Sequence, residues 1–545
     1  MSRIWFAYIR LFFWPLRIFY TMRSYTVFNY PFTRKGIPHP GMRRVFEFAV
    51  ISFLVCIALV GCTKKADEEI TAGELRTHVS YLASDPLQGR YTGTPGVAEA
   101  EQYIADRFAE IGLSPLPGET DYFLEFELNS VTYDAANTFV SIKGRRYELS
   151  EDFKPFYFSD NGEVESEAVF AGYGITAPEY DYNDYDGLDV NGKIVIVMRY
   201  EPDWFKETGN TKHAYFQTKA ENAVVHGAAG MLLYTDPKNK RANEDLRATP
   251  AYTFENRHTT GRQDRRTRVA EGFVAFHVSS AIASALLPDI PLSDLQRAVD
   301  SRQPIPEIIK DMNHRATIGM KQTPTVPGNI VGARNVAAFL PGTGSKDDEW
   351  IVVGAHHDHI GSYTGSGDTI YNGADDNASG VAGVLELAEQ FTIHPPERSM
   401  VFITFSAEEI GLFGSYALDT FDLIELDKVG FMLNLDMIGR NPELPVEIYG
   451  DGLAEGLTDL VRKANKEHRV SLALQGRKYE PFSDIAVFHD NRIPFIMFFT
   501  GVHSDYHGIG DHADKLDYPR MEKILRLSYD ILDLAAGAER LPRFN

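Results

Sequence analysis

Five polar runs in the last third of the chain combine imidazole and carboxylate groups: His356-His357-Asp358-His359, Asp375-Asp376-Asn377, Glu408-Glu409, Asp436 and Asp505-Tyr506-His507. If they converge, they make a site for a hard or borderline divalent cation. The chain's two cysteines lie far upstream, at Cys56 and Cys62, so zinc, manganese or cobalt held by nitrogen and oxygen are the candidates. In His356-x-Asp358 the two side chains share one face of an extended segment, so Asp358 can hold one ring nitrogen while the other meets a metal. His357 faces the opposite way and is not expected to ligate. Burying the adjacent acids Glu408 and Glu409 is costly unless a metal or a proton compensates. One of the two can ligate while its neighbour acts as general base on a water. Asp436, between Leu435 and Met437, is an acid in an apolar setting and needs a partner that a metal would supply.

These residues must be positioned by a sheet. Nearly every run follows an apolar stretch of strand length: Trp350 to Gly354 before His356, Ser399 to Phe405 before Glu408, Gly430 to Leu435 before Asp436. Helical periodicity separates them, over Ala378 to Phe391, Ile410 to Leu418, Leu453 to Glu467 and Met521 to Ala536. Alternating β and α predicts an α/β fold, a sheet covered by helices on both faces, whose ligands bind beyond the carboxyl ends of the strands. Upstream, Glu74 to Gly112 reads as two helices around a turn at Ser84-Asp85-Pro86. From about 160 to 300 the texture is β-rich, and the basic, polar stretch from Asn239 to Arg268 reads as a long surface loop.

Taken in order, Gly-Ala-His-His-Asp, Gly-Ala-Asp-Asp-Asn-Ala-Ser-Gly, Phe-Ser-Ala-Glu-Glu-x-Gly-Leu-x-Gly-Ser, Asn-Leu-Asp-Met-Ile-Gly and Asp-Tyr-His resemble the co-catalytic dizinc aminopeptidases. That metallopeptidase family also contains glutamate carboxypeptidase II and the non-enzymatic transferrin receptor. The resemblance implies a zinc exopeptidase fold with two Zn2+ per chain, Mn2+ or Co2+ being alternatives. It implies that His356 and Asp436 hold one ion, Glu409 and His507 the other, and Asp375 bridges them. Glu408 would be the general base, Asp358 the partner of His356, and Tyr506 a donor to the tetrahedral oxyanion. The expected activity is removal of N-terminal residues from peptides with a free N-terminus. Alternatives within the fold are a receptor-like binding protein without activity and a carboxypeptidase or glutaminyl cyclase variant. A carboxypeptidase needs cations for the substrate carboxylate, for which Arg440 and Arg492 are candidates. The final motif departs from the family's usual His-Thr-Pro-x-Asp, reading His507-Gly508-Ile509-Gly510-Asp511, and His503 and His512 compete with His507.

Asp189-Val190-Asn191-Gly192-Lys193-Ile194-Val195 and Gly227-Ala228-Ala229-Gly230 resemble the protease-associated (PA) domain that such peptidases carry as an insertion. The expected division is a targeting segment over 1–61, the start of the peptidase domain over 68–136, an inserted PA domain over 137–312 and the catalytic domain over 313–545. Residues 1–46 hold no acid and eight bases, and thirteen uncharged residues run from Phe48 to Val60, too few for a bilayer span. Followed by Gly61-Cys62, residues 42–61 resemble a bacterial lipoprotein signal, which implies the cell envelope and a membrane anchor on lipidated Cys62. With 54 basic and 76 acidic residues the net charge is −22, which disfavours nucleic acid as a partner.

Overall fold

The computed structural model describes residues 70–544, apart from 157, 206–210, 240–245, 247–250, 255–268, 310–316, 323–328, 364–366 and 478–482. The expected targeting segment lies outside the described residues, and among these no helix is long and apolar enough to cross a membrane.

A nine-stranded mixed sheet carries the polar runs. Its strands are β1 (Phe123–Val131), β2 (Ala251–Phe254), β3 (Asn329–Leu340), β4 (Trp350–His356), β5 (Ser399–Phe405), β6 (Val429–Leu435), β7 (Val446–Tyr449), β8 (Leu472–Leu474) and β9 (Phe495–Phe499), in the order β2-β1-β3-β5-β4-β6-β9-β7-β8. The central strands β5, β4, β6 and β9 run parallel, and every residue of β4 and β5 is buried. That is why these segments read as unbroken apolar runs, since a parallel sheet is covered on both faces.

The alternating side chains feed two cores. Ile351, Val353, Phe402 and Leu433 pack with helices α1 (Ala72–Leu82), α2 (Pro95–Glu110) and α3 (Gly380–Ile393), and with α5 (Leu457–His468) and α7 (Tyr518–Gly537). Val352, Ile403, Phe405 and Met432 pack on the other face with α4 (Phe413–Thr420) and α6 (Ile485–Asp490). Parallel strands joined by helices leave their carboxyl ends on one edge, where His356 closes β4 and where Glu408 and Asp436 follow β5 and β6.

A second, eight-stranded sheet has its own core around Phe153, Phe170, Ile196, Leu232 and Phe276. Its edge strands are Arg145–Tyr147 and Phe153–Pro155, and Thr317–Gln322 lies in it between Phe139–Ile142 and Gly162–Phe170. Two strands therefore cross the expected domain limits: Thr317–Gln322 joins the second sheet, and β2 joins the first. The stretch from Asn239 to Arg268, expected to be loop throughout, thus contains a strand paired antiparallel to β1, with Leu128 opposite Phe254 and Ser130 opposite Tyr252.

Candidate metal centre

His356 is 2 % exposed, and its Nε2 lies 3.3 Å from Asp376 Oδ1, 3.7 Å from Asp436 Oδ1 and 4.0 Å from Glu408 Oε2. On the far side of Asp376, His507 Nε2 lies 3.1 Å from Asp376 Oδ2 and 3.0 Å from Glu409 Oε2. His359 Nδ1 meets the other Glu409 oxygen at 2.7 Å. Two clusters of potential ligands therefore sit side by side, one around His356 and Asp436, the other around Glu409, with Asp376 presenting one oxygen to each.

Asp375 does not stand between the clusters, contrary to the sequence expectation. Its Oδ1 accepts the Gly439 amide at 2.7 Å and its Oδ2 faces His503 Nε2 at 3.4 Å, away from His356 and His507. The physical reason is the path of the loop. Gly373 enters it at φ +59°, where a Cβ would strike the Asp376 carbonyl at 2.3 Å and the His359 ring at 2.5 Å. Asp511 Oδ2 then accepts the amides of both Asp375 and Asp376, at 2.9 and 3.1 Å. With the main chain fixed so, consecutive side chains diverge and only that of Asp376 enters the site.

The remaining predicted residues are placed as follows. Asp358 is fully buried: its Oδ1 accepts the Glu408 amide at 3.0 Å, its Oδ2 the Thr92 hydroxyl at 3.1 Å. His356 Nδ1 lies closer to the Asp358 main-chain carbonyl, 3.2 Å, than to its carboxylate, 3.9 Å. His357 turns away to Thr404 Oγ1, as its alternation demands. Asp436 accepts the Ser483 hydroxyl at 2.7 Å. The Tyr506 ring stacks on His507 with centroids 3.9 Å apart. His512 pairs with Asp368 instead.

Three contributors were not anticipated. His359 and Asp376 lie inside motifs that drew attention to their neighbours. Arg90, fully buried, donates to the carbonyls of His357 (2.8 Å), Leu82 (2.5 Å), Asn372 (2.7 Å) and Gly373 (2.9 Å). It thereby ties the His356 loop to the Asp376 loop. The sequence signal was a lone arginine between glycine-rich turns, with nothing to mark its acceptors.

The electrostatics are those of an acidic pocket. Glu408 is held well above the carboxylate range, by burial foremost, with His356 pulling the other way and Glu409 adding repulsion. Burial also opposes ionisation of Glu409, yet His507 and His359 draw it down to about 2. His507 is raised to about 10: burial works against its charge and Glu409 and Asp376 outweigh it. Among the described residues no lysine or arginine pairs with Asp376, Glu408, Glu409 or Asp436, and the buried Asp376 Oδ2 faces only imidazoles, His507 at 3.1 Å and His359 at 3.8 Å. A donor set of three histidines and four carboxylates, buried and with imidazoles as its nearest counter-charges, fits divalent metal ions.

Residues 335–532 match peptidase family M28, and residues 161–286 match the PA domain. The two matches together describe a family M28 region preceded by a PA region. Leucine aminopeptidase 2 of Arthroderma otae is 29 % identical over 203 residues, which are 32 % of this chain and 39 % of that protein. The chain spans between about a third and two thirds of the length of the curated relatives it matches. The fold is shared with an aminopeptidase from Aneurinibacillus sp. strain AM-1 (TM-score 0.54, 23 % identity, 89 % of this chain and 99 % of that one). It is shared too with a zinc aminopeptidase from Bacillus subtilis (TM-score 0.53, 19 % identity, 87 % and 97 %).

Proposed function

We propose that this family M28 protein is a zinc aminopeptidase with a dinuclear centre. His356 and Asp436 would hold one ion and Glu409 and His507 the other, with Asp376 in place of Asp375 between them. The observation that carries this reading is the position of Asp376, one oxygen toward each histidine cluster. Bound zinc would polarise the scissile carbonyl and make water a competent nucleophile near neutral pH.

The chain's own residues do the rest. Glu408, held by the Asp358 carboxylate through its amide, takes the proton from water as the C–O bond forms and returns it to the leaving nitrogen as the C–N bond breaks. Its raised proton affinity suits both halves of that transfer. Asp358 and Thr92 keep the start of the Glu408-Glu409 segment in place, His359 steadies Glu409, and Ser483 steadies Asp436. Tyr506, beside His507, is the donor for the oxyanion. A dinuclear centre would take up a free α-amine, so the substrate is read from its N-terminus. Arg440 supports this over a carboxypeptidase reading, because it is already engaged by Asp505 at 2.8 Å and faces Asp511 at 3.6 Å.

The test pairs zinc analysis with a panel of aminoacyl, N-acetylated and C-terminal peptide substrates. Two zinc ions per chain and hydrolysis confined to free amines are expected. In Glu408→Gln, turnover should fall by about 10²–10⁴-fold with both ions retained. A wild-type protein that holds two ions and cleaves no free-amine substrate overturns the assignment. The signal read in residues 42–61 adds a proposed lipid anchor on Cys62, which mass spectrometry of the native N-terminus would reveal as a diacylated cysteine.

A further inference from the structure

Strand β2 lies within the PA-matched residues, yet it is hydrogen-bonded to the edge of the peptidase sheet. Its two described side chains reach the supports of Glu408 from different sides. The Phe254 ring meets those of Phe413 and Phe421 edge to face, with centroids 5.1 Å away in each case. Phe413 opens α4 and closes the Glu408-Glu409 loop, since its amide bonds the Ala407 carbonyl at 3.0 Å. Ala407 is fully buried in the same cluster as Phe254, Phe413 and Phe126. Two residues before Phe254, the Tyr252 hydroxyl lies 3.1 Å from that of Tyr91. Tyr91 stands between Arg90, which ties the two loops, and Thr92, which holds the Asp358 carboxylate that accepts the Glu408 amide.

We infer that β2 is a strap from the inserted domain that positions the Glu408-Glu409 loop, with Phe254 as its positioning residue. The Phe254 ring fills the space behind Phe413, so the loop between Ala407 and Phe413 has a packed wall against it. Truncation leaves a void there into which the Phe413 ring can swing, taking the attached loop with it. Displacement of a reacting group by about 1 Å costs on the order of 10²-fold in rate. Glu409 shares this loop but is also held by His359 at 2.7 Å, and the ligands on the other loops keep their own supports, so the effect falls on the proton-transfer step more than on binding of metal or substrate.

The inference rests on the aminopeptidase reading, and the experiment separates the two. Phe254→Ala, Phe254→Leu and wild type are compared for kcat, KM, zinc content and melting temperature, with turnover scaled to folded protein. Phe254→Ala should lower kcat by about tenfold or more with KM within about threefold of wild type and two zinc ions retained. Phe254→Leu, which refills most of the volume, should recover most of the loss. If Phe254→Ala does not accumulate as folded protein, Phe413→Leu thins the same contact from the other side and should give the same split. Unchanged kcat in the variant tested, or a loss wholly accounted for by KM or by missing zinc, overturns the strap. A wild-type enzyme inactive on every free-amine substrate would instead overturn the proposed function.

Discussion

Two buried polar clusters invite comparison, one at the peptidase sheet edge and one inside the second domain. In the second domain Lys219 is fully buried and donates to the Tyr173 and Tyr200 carbonyls at 2.5 and 2.6 Å. The carboxylates around it are each supplied with donors. Asp184 accepts the Tyr173 and Ile175 amides and the Tyr182 hydroxyl, Glu201 accepts the Thr211 amide, and Asp236 accepts from Asn239 and Gln296. Burial presses Lys219 down and Asp184 up, and their mutual attraction opposes both shifts. That cluster carries its own cation. The peptidase cluster has comparable burial and more acid, with histidines as its nearest counter-charges. A buried carboxylate group complete in itself is architecture; one that lacks its cation is a place for something to bind.

The comparison breaks most sharply at the two neighbouring acids. Asp376→Asn should abolish activity and weaken zinc binding by more than the 10–100-fold typical of a lost outer partner. Asp375→Asn should stay within about that 10–100-fold range. Calorimetric titration of zinc into each chelated variant is the measurement, and the reverse order would return the bridging place to Asp375.

Lys219→Met strips the second cluster of its cation. Leaving the Tyr173 and Tyr200 carbonyls without their donor costs about 1–3 kcal/mol each, read as a lower urea midpoint. Turnover per folded molecule and zinc content should be unchanged. A zinc loss in this variant would mean that the two clusters are not independent.

The smallest effect is expected at a third buried site, where His78 Nε2 lies 3.3 Å from Glu386 Oε1 and His78 Nδ1 2.7 Å from the Tyr103 hydroxyl. Burial raises Glu386 to about 8, with Glu74 adding to the rise and Arg107 opposing it. Burial lowers His78 to about 4, with Arg107 acting in the same sense and Glu389 and Glu74 opposing. A carboxyl group whose folded-state value is raised contributes stability below its unfolded value of about 4.3, lost as pH climbs through about 8. His78 acts in the opposite sense only at the acid end, where protonation favours the unfolded chain. Glu386→Gln should therefore match wild type near pH 4 and melt progressively higher than wild type from there to pH 9. Equal melting curves at pH 9 would show that Glu386 ionises without cost.

The central strands were legible because both faces of the sheet are covered, so β4, β5 and β6 are mostly apolar and each polar run marks a strand end. The convergence of the polar runs followed from that pattern, and their division into two sets from the family resemblance. Asp375 and Asp376 could not be told apart, because their difference lies in the main-chain path set by Gly373 and by Asp511, 135 residues away in sequence from Asp376. Strand β2 was hidden for another reason. Four residues in a basic, polar stretch carry too little periodicity to mark a strand, and its partner β1 lies more than a hundred residues earlier. Arg90 left no signal because its acceptors are carbonyls, which every residue possesses.

That last property reaches beyond this one reaction. A latch that grips only carbonyl oxygens is indifferent to which side chains those residues carry. The loops bearing His356 and Asp376 would follow the same course if either residue were replaced, since what Arg90 holds would still be there. Shape and chemistry are thus separately heritable at this edge of the sheet. A descendant could exchange its ligands, alter its reaction or fall silent as a binding protein while keeping the cleft that its ancestor used to cut.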